Sequence, residues 1–303
     1  MKQTTVMRQI FARPGLFILP GIYDGLSAKI VEEAGFEALY ISGWAVAASY
    51  GMPDMGILTL TEVVSRAASI TEAVNIPVIC DADTGYGNAI NVMRTVRELE
   101  RAGVAGIHLE DQVLPKKCGH FPGRSLISTE EMVGKLHAAL DARTDPDFVI
   151  IARTDAVASM GLEEAIRRGR SYIEAGADMI FMVLHNSPRI VNEVKTVCSS
   201  FAKPTMVDIG SSPDATPPLA ELNATGLKVA LLTTALLFSA LTAVRKSAKE
   251  IKQFGLAGIK AVKERNDSFE SGKQLVGVDR IYALSERYSG QSTAGEKDRN
   301  KVS

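Results

Sequence analysis

The residues best suited to chemistry begin with two aspartates, Asp81 and Asp83, which follow the apolar run Pro77–Cys80. Because alternate residues of a strand point the same way, both carboxylates are expected to face one ion. Carboxylate and water oxygens suit Mg²⁺ or Mn²⁺, which are hard cations. Asp83 could instead cap a turn before Gly85, a common role for aspartate. The repulsion between two carboxylates at the mouth of an apolar strand favours the metal site.

A second reactive group is Cys118, in a basic loop sequence that ends at Gly123. Positive charge from Lys116, Lys117 and His120 favours the thiolate form of such a cysteine. The alternative is a buried, inert thiol, which is the usual state of a free cysteine. The polar, glycine-containing sequence indicates a loop and argues against that alternative. We expect His120 to tune the cysteine or to pair with a carboxylate.

Other ionisable and aromatic residues stand at the ends of apolar runs. Glu110 and Arg153 each end such a run, and Trp44 follows another one. The guanidinium of Arg153 could pair with Asp155 or Glu110, or could grip a substrate carboxylate through two parallel hydrogen bonds. Trp44 is equally consistent with lining a pocket and with covering it.

These residues must be positioned by a regular alternation of short apolar runs and longer amphipathic stretches, which is typical of βα units. Eight runs are apolar enough for strands buried on both faces: Leu16–Pro20, Leu39–Ser42, Pro77–Asp81, Gly106–Glu110, Phe148–Arg153, Met179–Val183, Pro204–Asp208 and Lys228–Leu232. Eight βα units match an α/β protein of the (β/α)8 TIM-barrel type, for which ~250 residues is typical. A doubly wound open sheet is the alternative, but no Gly-x-Gly-x-x-Gly follows the first run.

Helices are predicted between the strands by start signals such as Ser128 before two glutamates and by stop signals such as Gly103. Their ranges are Leu26–Ala34, Leu60–Val74, Ala89–Ala102, Thr129–Ala142, Leu162–Ala175, Pro188–Ser199, Pro218–Ala224 and Thr234–Phe254. Two further helical pieces, Leu256–Glu264 and Val278–Tyr288, lie beyond the eighth unit. We therefore predict a barrel domain over residues 1–255, a helical extension over 256–288 and a polar, disordered tail over 289–303.

Composition excludes several classes of protein. The 303 residues carry 34 basic and 35 acidic side chains, so neither nucleic acid nor an anionic membrane is expected as a partner. The three cysteines form no Cys-x-x-Cys pair, which argues against a disulfide framework or a structural zinc site. The N-terminus lacks the apolar core of a signal peptide, and the most apolar run, Val229–Val244, is short for a membrane span. A cytoplasmic location is predicted, with mitochondria and peroxisomes left open.

Six motifs, taken in order, resemble those of the isocitrate lyase/phosphoenolpyruvate mutase superfamily. They are Tyr40–Gly43, Pro53–Gly56, Asp81–Gly87, His108–Gln112, Lys116–His120 and Ala152–Ala156. The resemblance covers most of the chain up to the end of the predicted barrel. It is strongest for the branch that contains 2-methylisocitrate lyase, 2,3-dimethylmalate lyase, oxaloacetate hydrolase and carboxyphosphonoenolpyruvate mutase.

The resemblance implies a barrel whose C-terminal helices are exchanged with a neighbouring subunit, in a homotetramer built from two helix-swapped dimers. The implied reaction is the retro-Claisen cleavage of a 2-hydroxy or 2-keto di- or tricarboxylic acid into a 2-keto acid and a carboxylate. The implied Mg²⁺ ligands are Asp81 and Asp83, with Asp54 and Glu110 acting largely through water. The implied catalytic residues are Cys118, Tyr40, Arg153 and His120. The implied substrate-binding residues are Ser42, Gly43, Trp44, Asp81, Gly119, His120, Arg153, Val183 and Asp208.

Several of these residues have a specific role in the implied reaction. The segment Ser42–Trp44 presents backbone donors to the carboxylate of the keto acid, and Arg153 adds a charged clamp. Tyr40 handles the proton of the substrate hydroxyl. Cys118 protonates the departing enediolate from a loop that opens for substrate and closes to exclude water.

Two positions depart from the lyase pattern. Val183 stands where lyases of this group usually carry a glutamate after the sixth strand, and Asp208 replaces the asparagine of a motif after the seventh. We therefore expect this side of the pocket to be apolar, and the second fragment of the substrate to be larger or less charged than succinate. A phosphonomutase, or a hydrolase of phosphonopyruvate or oxaloacetate that uses the same metal site, is the alternative. A catalytically silent, ligand-binding homologue is the third hypothesis.

Overall fold

The computed structural model describes residues 1–184, 189–209 and 217–289. Eight parallel strands close into a barrel in which neighbours in sequence are neighbours in the sheet and β8 pairs with β1. The strands are β1 (Phe17–Ile22), β2 (Leu39–Ile41), β3 (Val78–Asp81), β4 (Gly106–Glu110), β5 (Val149–Thr154), β6 (Met179–Met182), β7 (Thr205–Asp208) and β8 (Val229–Leu232). The predicted (β/α)8 barrel is confirmed, and the open sheet is wrong.

Helices separate the strands as predicted, and Ser128 caps α6 by accepting a hydrogen bond from the Glu131 N–H. The helices are α1 (Gln3–Ala12), α2 (Gly25–Glu33), α3 (Gly43–Ser49), α4 (Leu60–Ala73), α5 (Ala89–Arg101), α6 (Thr129–Ala142), α7 (Val157–Met160), α8 (Leu162–Glu174), α9 (Ile190–Ser199), α10 (Leu219–Asn223), α11 (Ala235–Phe254), α12 (Leu256–Arg265), α13 (Phe269–Leu275) and α14 (Val278–Ser289). The helix predicted from Pro188 begins at Ile190, and Pro188 itself lies outside the described residues.

Strand β1 extends further than the sequence predicts. The predicted strand ends at Pro20, whereas the observed one continues through Gly21 and Ile22, which pair with Tyr40 and Ile41. A Cβ atom at Gly21 would lie 2.4 Å from the carbonyl oxygen of Thr233. Glycine therefore lets β1 pass close to the chain that follows β8, a contact that the apolar pattern does not reveal.

Every second residue along each strand points into the barrel interior. One buried apolar cluster contains an inward-facing residue from each of β3, β5 and β7, namely Ile79, Ile151 and Met206. Two residues further along these strands, the same parity places polar side chains at the C-terminal end of the interior. These side chains are Asp81, Arg153 and Asp208. The strands that form the core therefore also aim the polar groups at one place.

Helix α1, which the sequence analysis did not predict, closes the opposite end of the barrel. Its residues Met7 and Ile10 are buried in the same apolar cluster. Arg8 donates to the Asp147 carbonyl at 3.0 Å and to Asp178 Oδ1 at 2.7 Å, just before β5 and β6. The N-terminal end of the barrel is thus sealed, which leaves the C-terminal end for a site.

The chain forms two compact units, Met1–Ala240 and Leu241 onward. In the second unit, Arg265 forms an ion pair with Glu250, and large apolar side chains such as Leu256, Phe269 and Tyr288 are exposed. No helix of the described ranges is long and apolar enough to cross a membrane. The predicted tail, apart from Ser289, lies outside these ranges.

Candidate active site

A cavity of about 260 Å³ opens at the C-terminal end of the strands. The predicted site residues that line it are Tyr40, Ser42, Trp44, Asp54, Asp81, Cys118, Gly119, His120, Arg153, Val183 and Asp208. Gly43 and Asp83 border a smaller, adjoining cavity, and Glu110 is completely buried beside Arg153. The lining residues that sequence reasoning missed are Phe121, Phe181, Thr233, Thr234 and Phe238. The predicted residues therefore converge on one site.

A buried lysine, Lys116, lies at the centre of the acidic cluster. Its ammonium group is 2.5 Å from Asp54 Oδ1 and 2.7 Å from Asp83 Oδ1, and its side chain is only 2% exposed. Although burial favours the neutral amine, the carboxylates of Asp83 and Glu110 raise the pKa of Lys116 well above its usual range. From the sequence, Lys116 was expected only to influence the thiol of Cys118, because its contacts with Asp54 and Asp83 join residues far apart in the chain.

The two aspartates of the first motif are aimed by different local structures. Asp81 is the last residue of β3, whereas Asp83 lies past the strand end in a left-handed conformation with φ of 47°. The expectation that strand alternation aligns both carboxylates is therefore wrong. A turn redirects Asp83, and its backbone N–H donates to Asp81 Oδ1 at 3.0 Å. Both alternatives for Asp83 are therefore present: it lies in a turn, and the turn places its carboxylate beside Lys116 in the acidic cluster.

Burial and mutual repulsion oppose the ionisation of all the acids of this cluster at once. Burial, together with Asp81 and Asp54, raises the pKa of Asp83 to about 7 despite the contact with Lys116. Burial also raises the pKa of Glu110 well above its usual range. Within the described ranges, Glu110 Oε1 has no hydrogen-bond partner. As the side chains stand, no group of three or more acids, histidines or cysteines in these ranges encloses a metal position.

Chemically, the acidic cluster still fits a hard divalent cation. Its acids are all carboxylates, including Glu110 with an unpartnered buried oxygen, and carboxylates are the ligands that Mg²⁺ and Mn²⁺ prefer. The Lys116 ammonium group bridges Asp54 and Asp83, the acids that such a cation would share. A divalent cation would supply the positive charge that lets these acids be ionised together. Asp54, Asp81, Asp83 and Glu110 are the residues that would hold it.

Tyr40 contacts both Asp81 and His108, a histidine that was not among the predicted site residues. The Tyr40 hydroxyl is 2.8 Å from His108 Nε2 and 3.3 Å from Asp81 Oδ2. Burial lowers the pKa of His108 to about 4 and raises the pKa of Tyr40 well above its usual range. Both groups are therefore neutral near pH 7, and the hydroxyl faces the cavity with a proton that it can exchange with a neighbour.

Arg153 makes both of the ion pairs that the sequence suggested. Its Nε and Nη2 atoms donate to the two oxygens of Asp155 at 3.0 and 3.2 Å, and Nη2 lies 3.2 Å from Glu110 Oε2. Its guanidinium carbon also lies 5.2 Å from the ring centroid of Phe181. These contacts fix the orientation of the guanidinium group at the cavity wall. They use Nε and Nη2, so a substrate carboxylate would be bound through Nη1.

The loop that carries Cys118 is anchored at its base and lies over the cavity. Gln112 pairs with Leu126 as an isolated antiparallel bridge, and its side chain exchanges two hydrogen bonds with the backbone of Lys117. The Cys118 N–H donates to the Asp54 carbonyl at 3.0 Å. Val183 Cγ1 would lie 3.4 Å from a Cβ at Gly119. The loop is therefore closed against the acidic cluster.

The expectation that basic neighbours favour a Cys118 thiolate is wrong. The thiol is buried, and burial raises the pKa of Cys118 to about 11. The two lysines bind elsewhere, Lys116 to Asp54 and Lys117 to the Gly123 carbonyl. Cys118 consequently holds its proton near neutral pH, as a proton donor must.

The remaining wall of the cavity is largely apolar. Trp44 lines it and meets Phe121 of the loop edge to face at 5.8 Å, and Val183 is 4% exposed. Polar residues on this wall include Asp208, whose Oδ2 accepts from Thr233 at 2.9 Å and lies 3.4 Å from His120 Nε2. His120 thus pairs with a carboxylate, one of its two predicted roles. The motif that follows Asp208 falls at residues 210–216, outside the described part of the chain.

Comparison with known proteins identifies the family. The phosphoenolpyruvate phosphomutase family matches residues 7–252. The chain belongs to the phosphoenolpyruvate mutase/isocitrate lyase superfamily. Within this superfamily, it is 41% identical to the 2,3-dimethylmalate lyase of Eubacterium barkeri over 95% of the chain and 99% of the relative.

Two further superfamily members extend this comparison. The chain is 42% identical to a 2-methylisocitrate lyase of Aeropyrum pernix over 82% of the chain and 80% of the relative. A crystal structure of phosphonopyruvate hydrolase in complex with oxalate and Mg²⁺ superposes with a TM-score of 0.86 at 34% identity, covering 95% of this chain and all of the other. The superfamily predicted from the six motifs is therefore confirmed.

Proposed function

We propose that this protein is a Mg²⁺-dependent carbon–carbon lyase that cleaves a 3-alkyl-malate-type 2-hydroxy acid into a 2-keto acid and a carboxylate. The observation that carries this proposal is the position of the Cys118 thiol on the wall of the cavity that Asp81, Tyr40 and Arg153 also line. A lyase must protonate the carbon of its departing fragment, whereas migration of a phosphoryl group needs no such donor.

The acidic cluster accounts for the metal requirement. Asp81, Asp83, Asp54 and Glu110 would hold Mg²⁺, which when bound stabilises negative charge on an oxygen of the forming keto acid. The related phosphonopyruvate hydrolase was crystallised with oxalate and Mg²⁺, and oxalate resembles the keto-acid end of the proposed product. Manganese is expected to substitute, because it prefers the same oxygen ligands.

The protein's own side chains perform the remaining steps. Arg153 binds the carboxylate next to the hydroxyl-bearing carbon, with its orientation fixed by Asp155. Tyr40 takes up the proton of the substrate hydroxyl as it passes its own proton to His108 Nε2, which lies 2.8 Å away. As the carbon–carbon bond breaks, its electron pair stays with the departing fragment, and Cys118 delivers the proton to that carbon.

The wall beyond the keto-acid end indicates the form of the second fragment. Trp44, Phe121 and Val183 offer apolar contacts, while Asp208 adds a negative charge. An alkyl group suits this wall, and the additional carboxylate of a tricarboxylic acid would meet Asp208. The name of the Eubacterium barkeri relative, 2,3-dimethylmalate lyase, agrees with a dicarboxylate that carries methyl groups.

Hydrolysis or rearrangement of a phosphonate such as phosphonopyruvate is the second candidate. It is supported by the family match and by the likeness to phosphonopyruvate hydrolase, and it would use the same acidic cluster and Arg153. Oxaloacetate hydrolysis falls in the same class. A role in ligand binding alone has less support, because the carboxylates, the arginine and the thiol are all present.

Assembly and location remain predictions. We propose a homotetramer of helix-swapped dimers, supported by the exposed apolar side chains of the second unit, such as Leu256 and Phe269. Mass measurement in solution tests the tetramer. A cytoplasmic location is proposed on the sequence grounds given above, with mitochondria and peroxisomes as alternatives.

A substrate panel tests the proposed reaction. The purified protein is incubated with Mg²⁺ and 2,3-dimethylmalate, 2-methylisocitrate, oxaloacetate or phosphonopyruvate. The 2-keto acid released from the two hydroxy acids, oxalate from oxaloacetate and phosphate from phosphonopyruvate are followed. The proposal expects 2,3-dimethylmalate to have the highest kcat/KM. A preference for phosphonopyruvate or oxaloacetate would transfer support to the second candidate. Cleavage of 2-methylisocitrate as good as that of 2,3-dimethylmalate would overturn the assignment of the apolar wall.

A further inference from the structure

One buried carboxylate joins the closing loop to the substrate clamp. Asp155 is held by Arg153 through both of its oxygens, and its Oδ1 also accepts from Arg124 Nη1 at 3.3 Å. Arg124 follows Gly123 in the loop that carries Cys118, and its side chain is only 5% exposed. The loop therefore brings a buried cation to the partner of the clamp arginine.

The charges show what this contact does. Arg153 and Asp155 alone form a neutral pair, and a neutral pair attracts a substrate carboxylate weakly. Arg124 adds one positive charge to the group formed by Arg153 and its acidic partners Asp155 and Glu110, and so makes this group more cationic. In a buried site, such a charge acts through a lower dielectric than water and is less screened. Because Arg124 also pairs with Asp155, Asp155 neutralises less of the charge of Arg153. Arg153 then attracts the substrate carboxylate more strongly.

Asp155 is also held by hydrogen bonds that do not depend on Arg124. The Asp155 N–H donates to Asp111 Oδ1 at 3.0 Å. Asp111 Oδ2 in turn accepts from Thr154, Tyr172 and Arg168 at 2.7, 2.9 and 3.2 Å. These contacts come from β5 and α8 and do not involve the loop. Asp155 therefore keeps its place when the loop moves, and Arg124 is the member whose position depends on the loop.

We propose that Arg124 is a positioning residue that couples loop closure to substrate binding by sharing Asp155 with Arg153. This inference rests on the proposed function only in assigning Arg153 to a substrate carboxylate. Closure strengthens the hold of Arg153 on the carboxylate, and a bound carboxylate favours the closed loop by the same free energy.

Oxalate binding to the full-length protein with saturating Mg²⁺, measured by calorimetry, tests this coupling without turnover. Arg124→Gln removes the charge and is expected to weaken oxalate binding about 10- to 100-fold, as for a lost charge-assisted hydrogen bond. Arg124→Lys keeps the charge and should bind within about fivefold of the wild type. Arg101→Gln makes the same charge change on a side chain that is 72% exposed and should have no effect.

The second readout is alkylation of Cys118, followed by mass spectrometry of its peptide. Oxalate is expected to slow this alkylation in the wild type and in Arg124→Lys but not in Arg124→Gln. Oxalate binding and protection in Arg124→Gln equal to those of the wild type would overturn the proposal, and so would an equal loss in Arg124→Lys. If Arg124→Gln does not fold, the Arg124→Lys result decides alone. No oxalate binding by the wild type would contradict the proposed function itself.

Discussion

Replacement of Gly119 by alanine tests whether the loop must close directly onto Arg153. A Cβ at this position would lie 2.8 Å from Arg153 Nη2 and 3.2 Å from Asp155 Oδ1. The arginine cannot easily move away, because Asp155 and Glu110 hold the same nitrogen at 3.2 Å each. Gly119 does not have a positive φ, so alanine causes no backbone strain in the conformation described. The clash exists only when the loop is closed.

The expected size of the effect follows from the cost of overpacking. Extra atoms in a packed site cost about 1–3 kcal/mol. If closure is required before the transition state, this corresponds to a kcat/KM that is lower by about 5- to 150-fold. The assay is 2-keto acid formation from the best substrate of the panel, together with thermal unfolding, in which the melting temperature should remain close to that of the wild type.

Gly134→Ala is the matched control for Gly119→Ala. Gly134 lies within α6, and no atom lies within 4 Å of the position of its Cβ. Alanine there should stabilise the helix by about 0.5–1 kcal/mol and leave kcat/KM unchanged. Wild-type activity in Gly119→Ala would refute the closed loop as the catalytic state.

Three further predictions concern the cation, the thiol and the distal wall. Lys116→Met leaves Asp54 and Asp83 without their ammonium partner and should lower the free energy of unfolding by about 3–5 kcal/mol in EDTA. Urea unfolding should show that excess Mg²⁺ restores part of this loss, and an equal loss with and without Mg²⁺ would contradict a metal site here. Because burial raises the pKa of Cys118 to about 11, its alkylation at pH 8 should be about 100-fold slower than that of an ordinary cysteine and should accelerate up to about pH 11. A rate that levels off below pH 9 would show that the pKa of Cys118 is not raised. Asp208→Asn keeps an acceptor for Thr233 but removes the charge, and should shift the kcat/KM ratio toward 2-methylisocitrate by about tenfold, or ~1.4 kcal/mol. An unchanged ratio would remove Asp208 from the determinants of specificity.

The fold could be predicted because its signals are local. Each strand is a short apolar run, and each of the longer helices has a periodic pattern with a recognisable start or stop. Strand β1 was predicted too short because its last pairs depend on Gly21 meeting Thr233. Helix α1 was missed because it is held by barrel residues such as Asp147 and Asp178, which are far away in sequence.

Only those site residues could be predicted that stand at strand ends or within family motifs. These signals located Asp81, Arg153 and Cys118, and the cavity contains all three. They did not show the protonation state of Cys118, because burial outweighs the adjacent lysines. Lys116 and His108 were missed because their roles depend on contacts with Asp83 and Tyr40 across the barrel. Pairings of this kind are set by tertiary structure.

The most direct test of the proposed lyase is the Cys118→Ser variant, assayed for 2-keto acid release from 2,3-dimethylmalate with Mg²⁺ and with EDTA. The account predicts that kcat falls by about 10²–10⁴-fold in the variant, since a positioned proton donor contributes that much. Oxalate binding should remain, and EDTA should abolish turnover in the wild type. Turnover by Cys118→Ser at the wild-type rate would contradict the role of the thiol on which the proposed function rests.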